Sequence, residues 1–255
     1  NLNRVIEYRY LCMVLLACEN LYKSFGGVVA VKNLSFTVDE GEILGLIGPN
    51  GSGKTTVLNL ISGVLKPDAG KINFRGRNIV GLKPHRICQL GVARTYQNVR
   101  PFLNHTVLQN VMVGALFGSG IGRSDAATTQ SIIEFVGLGG REHRLVESLN
   151  LKERKLVEIA RALASKPTLL LLDEPMAGLN SSEVNVFLDL IKRIHNLGVT
   201  LIIVEHVMKA IMSIAHRILV LHLGEKLIEG EPQEVSTNKQ VVNIYLGEEY
   251  ASARG

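Results

Sequence analysis

The sequence contains no tryptophan, and aromatic residues make up only 5% of its 255 positions although 46% are hydrophobic. A chain of this kind builds an aliphatic interior, as expected where parallel strands are buried on both faces. Cysteine is scarce as well. Cys12, Cys18 and Cys88 are odd in number and lack metal-ligand spacing, which argues against a disulfide framework or a zinc site and fits a reducing cytosol. No apolar run reaches the roughly 18 residues of a membrane-spanning helix, so any membrane association is expected through a partner. Excess charge is lacking too: the formal net charge is +5, with Lys and Arg dispersed. The densest basic patch, Lys152 to Lys155, is interrupted by Glu153 and reads as a solvated helix face rather than a nucleic-acid footprint.

The segment from Arg4 to Cys18 imitates a lipoprotein signal peptide, with basic residues, a short apolar run and Leu15-Leu16-Ala17-Cys18. Cleavage before Cys18 would cut through the expected first strand, so Met13 is read as the start. Residues 1–12 are then an extension outside the fold and residues 251–255 a tail. Short β-rich runs are expected from Val14 to Asn20 and around Val28 to Val38, broken at Gly26-Gly27. Ile43 to Ile47 is a continuous apolar strand entering a glycine-rich turn, and from Lys54 to Ser62 the spacing turns helical. Buried strands recur at Leu169 to Leu172, Leu201 to Val204 and Ile218 to Leu221, with helices Ser181 to Asn196 and Val207 to Ile214 between them. Strand–helix alternation implies a mostly parallel sheet. Between Pro101 and Ala164 the strand signal disappears, and Val107 to Phe117, Thr128 to Val136 and Leu151 to Ala164 read as helices of an inserted lobe. One domain over 13–250 is expected, with 13–100 and 165–250 as an α/β core and 101–164 as a helical subdomain.

Gly48-Pro49-Asn50-Gly51-Ser52-Gly53-Lys54-Thr55, followed by Thr56, satisfies the P-loop pattern after a buried strand and before a helix. The glycines let backbone N–H groups converge on phosphate oxygens, and the helix start adds its positive dipole end. Lys54 is placed to reach the β- and γ-phosphates and Thr55 to ligate magnesium. Chance yields such a string on the order of once or twice per hundred chains of this length, but the flanking strand and helix make chance a poor explanation. Leu169 to Leu172 ends in Asp173 and Glu174, two acids at the carboxyl edge of the same sheet. Paired acids after a strand are commonly just a helix start. Beside a P-loop, Asp173 fits a magnesium carboxylate and Glu174 a general base for water.

With these residues in hand, the chain closely resembles the ATP-binding cassette (ABC) ATPases over Met13 to Tyr250. The resemblance implies a P-loop NTPase (RecA-like) α/β core with a mostly parallel sheet, an antiparallel β edge subdomain and an inserted helical subdomain. It implies ATP and Mg2+ as cofactors, a second ATPase subunit packed head to tail, and integral membrane permease subunits as partners. By resemblance, Gln97 is the glutamine that contacts magnesium and the attacking water, His206 the histidine at the γ-phosphate, and Phe25 the aromatic that stacks on adenine. Leu149 to Glu153, with Asn150 as its second residue, aligns with the signature motif that meets the partner's ATP. In detail the chain is similar to ATPase subunits of branched-chain amino-acid importers, through Arg94 to Arg100, Ala177-Gly178-Leu179-Asn180 and Tyr245 to Glu249.

Two departures stand out. Leu149-Asn150-Leu151-Lys152-Glu153 replaces the usual Leu-Ser-Gly-Gly-Gln, and Asn180 stands where Asp is usual. Side chains at Leu151 and Lys152 crowd a place where glycines normally allow close approach, so the two ATP sites of an assembled transporter are expected to be unequal. A P-loop GTPase would need Asn-Lys-x-Asp, and the nearest string, Asn238-Lys239-Gln240-Val241, lacks the acid. A mechanical clamp acting on DNA or ribosomes would carry a coiled-coil insertion or a second cassette; a regulatory ATP-binding module without turnover would have no need of Glu174, but the altered signature keeps that alternative open.

Overall fold

The computed structural model describes residues 13–97, 101–118 and 126–252. The extension before Met13 lies outside these residues. Among the described residues, ten strands form two sheets. The smaller, in the order β2-β1-β4-β5, is antiparallel and comprises β1 (Val14–Phe25), β2 (Val28–Asp39), β4 (Ala69–Phe74) and β5 (Arg77–Asn78). The larger runs β10-β9-β3-β8-β7-β6, from β3 (Ile43–Ile47), β6 (Val92–Arg94), β7 (Leu169–Asp173), β8 (Thr200–Val204), β9 (Arg217–His222) and β10 (Glu225–Gly230). All its neighbouring pairs are parallel except β9 with β10.

The strands β3, β7, β8 and β9 read as unbroken apolar runs because each serves two cores at once. Ile43 and Ile47, Leu170 and Leu172, Leu201 and Ile203, Ile218 and Val220 face one core with α3 (Val107–Phe117), α5 (Leu151–Ala164) and α6 (Ser181–Asn196). The alternate residues Leu44 and Leu46, Leu169 and Leu171, Ile202 and Val204, Leu219 and Leu221 face a second core with α1 (Lys54–Ile61) and the antiparallel sheet. Period-two alternation thus divides each strand between two apolar environments, and no polar face remains.

Between Pro101 and Ala164 the described elements are α3, α4 (Ala126–Phe135), a short 3-10 turn at Val146–Ser148 and α5. Thr106, Asn150 and Asn180 open α3, α5 and α6 with capping boxes closed by Gln109, Glu153 and Glu183. The structure extends the first strand expected from the sequence to Phe25. Register shifts after Cys18 and Leu21, with Asn20 at φ 48°, break the alternation that would have revealed it. The helix expected over Val207 to Ile214 is the shorter α7 (Met208–Met212). Further elements complete the fold: α2 (Pro84–Leu90), α8 (Pro232–Thr237) and α9 (Lys239–Ser252).

At the amino edge of the central sheet two histidines meet edge to face, His195 and His216, with ring centroids 5.0 Å apart. His216 Nδ1 accepts the Ile43 N–H at 3.1 Å, while His195 Nε2 lies 2.7 Å from the Gly41 carbonyl oxygen. Burial, and then the neighbouring His195, pull the His216 pKa below its ordinary 6.5, with Glu42 opposing. The folded chain therefore binds fewer protons here than the unfolded one, and stability falls as pH drops below about 6.5. The melting temperature is expected to decline between about pH 7.5 and about pH 5.5, and to decline less in His216→Asn, whose amide oxygen still accepts the Ile43 N–H but does not titrate. Equal declines in both proteins would exclude His216 as a cause.

Candidate active site

The register of the central sheet builds the site. Leu46 pairs with Val204 and Val204 with Asp173, so the carboxyl ends of β3, β8 and β7 are level and their loops open on the same edge. Crevices of this kind are where open α/β sheets bind ligands. The loop after β3 is Gly48 to Gly53. Gly53 lies at φ 104°, where a Cβ would strike the Ala30 carbonyl oxygen, and Gly48 at φ 149°, where a Cβ would come within 2.7 Å of Ser52 Oγ. Glycine is thus required by the backbone at both positions. Gly53 caps α1 without a side chain, which leaves the first-turn N–H groups around Thr55 and Thr56 without a side-chain cap. Lys54, 7% exposed, folds back over the loop and donates to the Gly48 and Pro49 carbonyl oxygens at 2.7 and 2.8 Å. Asn50 and Gly51 form the outer rim of the loop and are exposed.

Asp173 closes β7 and is buried. Its Oδ2 accepts from Arg94 Nη2 at 2.9 Å, and Arg94 Nη1 donates to Asn59 Oδ1 at 2.6 Å and Ser62 Oγ at 3.1 Å. Burial raises the Asp173 carboxyl above its ordinary range, Arg94 opposes the rise, and Glu174 adds to it. Two buried oxygens at the site have no hydrogen-bond partner, Ser52 Oγ and Asp173 Oδ1. Such orphaned acceptors fit a site shaped for a phosphate and a cation.

Glu174 adopts a left-handed backbone at φ 49° and has its N–H bonded to the Val204 carbonyl oxygen at 2.9 Å. Its Oε2 accepts from Gln97 Nε2 at 2.8 Å and lies 3.7 Å from His206 Nδ1. Two residues from two other loops therefore converge on one oxygen of the Glu174 carboxylate. Phe25 stands at the end of β1, 45% exposed, with Lys23 Nζ 5.3 Å from its ring centroid. Asn150 is exposed at the start of α5. Its Oδ1 accepts the Glu153 N–H at 2.9 Å, which leaves its amide NH2 group available as a donor.

Sequence reasoning missed three contributors. Lys155, assigned with Lys152 to a solvated face, is buried, because the helical period carries it inward with Ile159 and Leu163. Glu205 is also buried and follows β8 much as Glu174 follows β7, so an acid just past a strand end was the available signal. Arg94 was a cation in an otherwise apolar strand, and its partner lies 79 residues away. Asn98, Val99 and Arg100 lie outside the described residues.

A glycine loop between a buried strand and a helix, with a lysine folded over it and paired acids at the next strand ends, defines a P-loop nucleoside triphosphatase site. A family model described as ABC transporter matches residues 31–177. The chain is 39% identical over 251 residues to the high-affinity branched-chain amino acid transport ATP-binding protein LivG of Salmonella typhimurium, covering 92% of this chain and 98% of that one. LivG of Escherichia coli is 37% identical and BraF of Pseudomonas aeruginosa 36%, each with the same coverage. Among solved structures, the ADP conformation of an ATP-binding cassette of an ABC transporter superposes with a TM-score of 0.84 at 30% identity, over 92% of this chain and 99% of that one. A nucleotide-free cassette gives 0.83, also at 30%. The chain belongs to the ABC transporter family as an ATP-binding cassette ATPase.

Proposed function

We propose that this chain binds Mg-ATP at the Gly48–Thr56 loop and hydrolyses it to drive an importer for branched-chain amino acids or related small polar solutes. The observation that carries the chemistry is the convergence of Gln97 and His206 on Glu174 beside the P-loop, with Gln97 at 2.8 Å. Lys54 and the loop N–H groups hold the phosphates, and Phe25 offers an exposed ring to adenine. Thr55, Asp173 and Gln97 are the residues that would hold magnesium, which when bound neutralises charge on the β- and γ-phosphates. Glu174 orients the attacking water and takes its proton, and His206 reaches toward the γ-phosphate.

The choice of solute rests on relatives that match nearly the whole chain and serve branched-chain amino acid transport. No helix among the described residues is long and apolar enough to cross a membrane. Coupling to permease subunits at the inner face of the membrane is supported by a groove of about 280 Å3 between the α/β core (13–100 and 165–250) and the helical lobe (101–164), lined by Arg94, Tyr96, Phe117 and Arg161. A second ATPase subunit, packed head to tail, brings its own P-loop to Asn150 and the start of α5.

Lys54→Ala tests the reading directly. It removes a buried cation that has no neutral substitute at the loop, so ATP affinity is expected to fall at least about tenfold and turnover to vanish. Equilibrium binding of a fluorescent ATP analogue, with phosphate release measured in parallel, checks both. Unchanged affinity would remove the phosphate site from this loop.

A further inference from the structure

Lys155 sits on the inner face of α5, 7% exposed, and its Nζ donates to the carbonyl oxygen of Glu174 at 3.1 Å. Two buried carboxylates act on its charge, Glu205 and Glu158, which are 0% and 3% exposed. Burial pulls the Lys155 pKa down, and these acids with Glu174 oppose the shift. Glu205 in turn holds the loop that follows Glu174. Its Oε1 accepts the Met176 N–H at 2.8 Å and its Oε2 the His206 N–H at 3.2 Å. The space left among Lys155, Glu158, Thr95 and Asp173 is about 10 Å3, room for a single water molecule at most.

The peptide unit of Glu174 is thus held from two directions. Its N–H is fixed to β8 through Val204, within the central sheet. Its carbonyl is fixed to α5, which packs against α3 and α4 and begins with the Leu149–Glu153 segment. A left-handed conformation at a residue with a side chain persists only where its surroundings impose it, and these two bonds supply that restraint. We propose that Lys155 is a positioning residue of the hydrolytic centre: by fixing the Glu174 carbonyl it makes the aim of the Glu174 carboxylate depend on where α5 sits. The helix that presents Asn150 to a partner's nucleotide then also adjusts the base at the chain's own nucleotide. This rests on the assignment of Glu174 as the base.

The test uses the assembled transporter, with Lys155→Met, Glu205→Gln and the double variant compared at a temperature where each is folded. Lys155→Met is expected to lower kcat at least about tenfold while leaving KM and ATP affinity within about twofold, because the nucleotide contacts are untouched and only the orientation of the base changes. It also leaves the buried Glu205 carboxylate without the Lys155 charge, while Glu158 keeps Arg161 at 3.4 Å, so melting temperature falls. The double variant removes a charge of each sign and should recover stability. If turnover stays low in the recovered double variant, Lys155 positions Glu174. If kcat recovers along with stability, or if Lys155→Met alone turns over normally, its role is charge balance and the proposal is overturned. Should Lys155→Met fail to fold by itself, the double variant carries the test alone, on the same reading of kcat. Glu174→Gln measured alongside separates the two claims: normal turnover there defeats the assignment of the base, whereas lost turnover there with normal Lys155→Met defeats only the positioning.

Discussion

Glu174→Gln is expected to keep ATP bound and to lose hydrolysis by about 10²–10⁴-fold, the range spanned by removal of a general base. The amide has the shape of the carboxylate, and its oxygen can still accept from Gln97, so the 2.8 Å contact that aims the side chain survives. What disappears is the capacity to take a proton from water. Removing a negative charge beside the γ-phosphate also relieves repulsion, so affinity for ATP should be unchanged or higher. The glutamate lies 3.7 Å from His206 Nδ1, and that histidine is half-exposed. Phosphate release from the assembled transporter, with nucleotide retention on a desalting column, reads both halves. Near-normal hydrolysis would assign the base elsewhere.

Arg94→Met is expected to destabilise the chain by about 3–5 kcal/mol, a large share of the total stability of an ordinary domain. The ion pair with Asp173 is almost dry, with the two side chains 5% and 1% exposed, so removing the guanidinium strands a buried carboxylate. Asn59 and Ser62 lose a donor at the same time. The sign of the pH dependence follows. Burial already raises the Asp173 pKa, and without Arg94 it rises further. The folded variant then holds a proton that the unfolded chain has released, so its deficit shrinks as pH falls from neutrality toward that raised pKa and grows as pH rises. Urea unfolding of both proteins at about pH 8 and about pH 5.5 measures the effect, and a loss below about 1 kcal/mol would show that the ion pair is not a keystone of the sheet edge.

Much of this was legible in the sequence because it was local. Ile43 to Thr55 carries strand, turn and helix start in one stretch, and the two-core burial of β3, β7, β8 and β9 writes itself as runs of Leu, Ile and Val. Other elements carried little pattern. Only Ile87 of α2 is buried, and β10 is an edge strand, half-exposed along its length. Their positions are set by what they pack on. The same holds for the site: Lys54 and Asp173 follow from motif and strand end, whereas the Arg94 fork depends on α1, β6 and β7 being adjacent, and the burial of Lys155 on the face that α5 turns toward Glu174. A basic residue in a charged run looks solvated until the packing face is known.

The cap at the start of α5 changes how the altered Leu149–Glu153 segment is understood. Asn150 closes the helix by reciprocal bonds with Glu153, at 2.9 and 3.1 Å, while Leu151 reaches across to within 3.1 Å of where a Cβ on Gly178 would stand. The intervening first-turn N–H groups of Leu151 and Lys152 are donated by the main chain, whatever side chains are attached. Spelling and shape are thereby decoupled: drift in the letters of this segment is tolerated as long as one short polar residue starts the helix and an acid or amide answers it three positions on. A side chain at position 178, where φ is 76°, would press on Leu151, so the loop after Glu174 and the start of α5 constrain one another sterically.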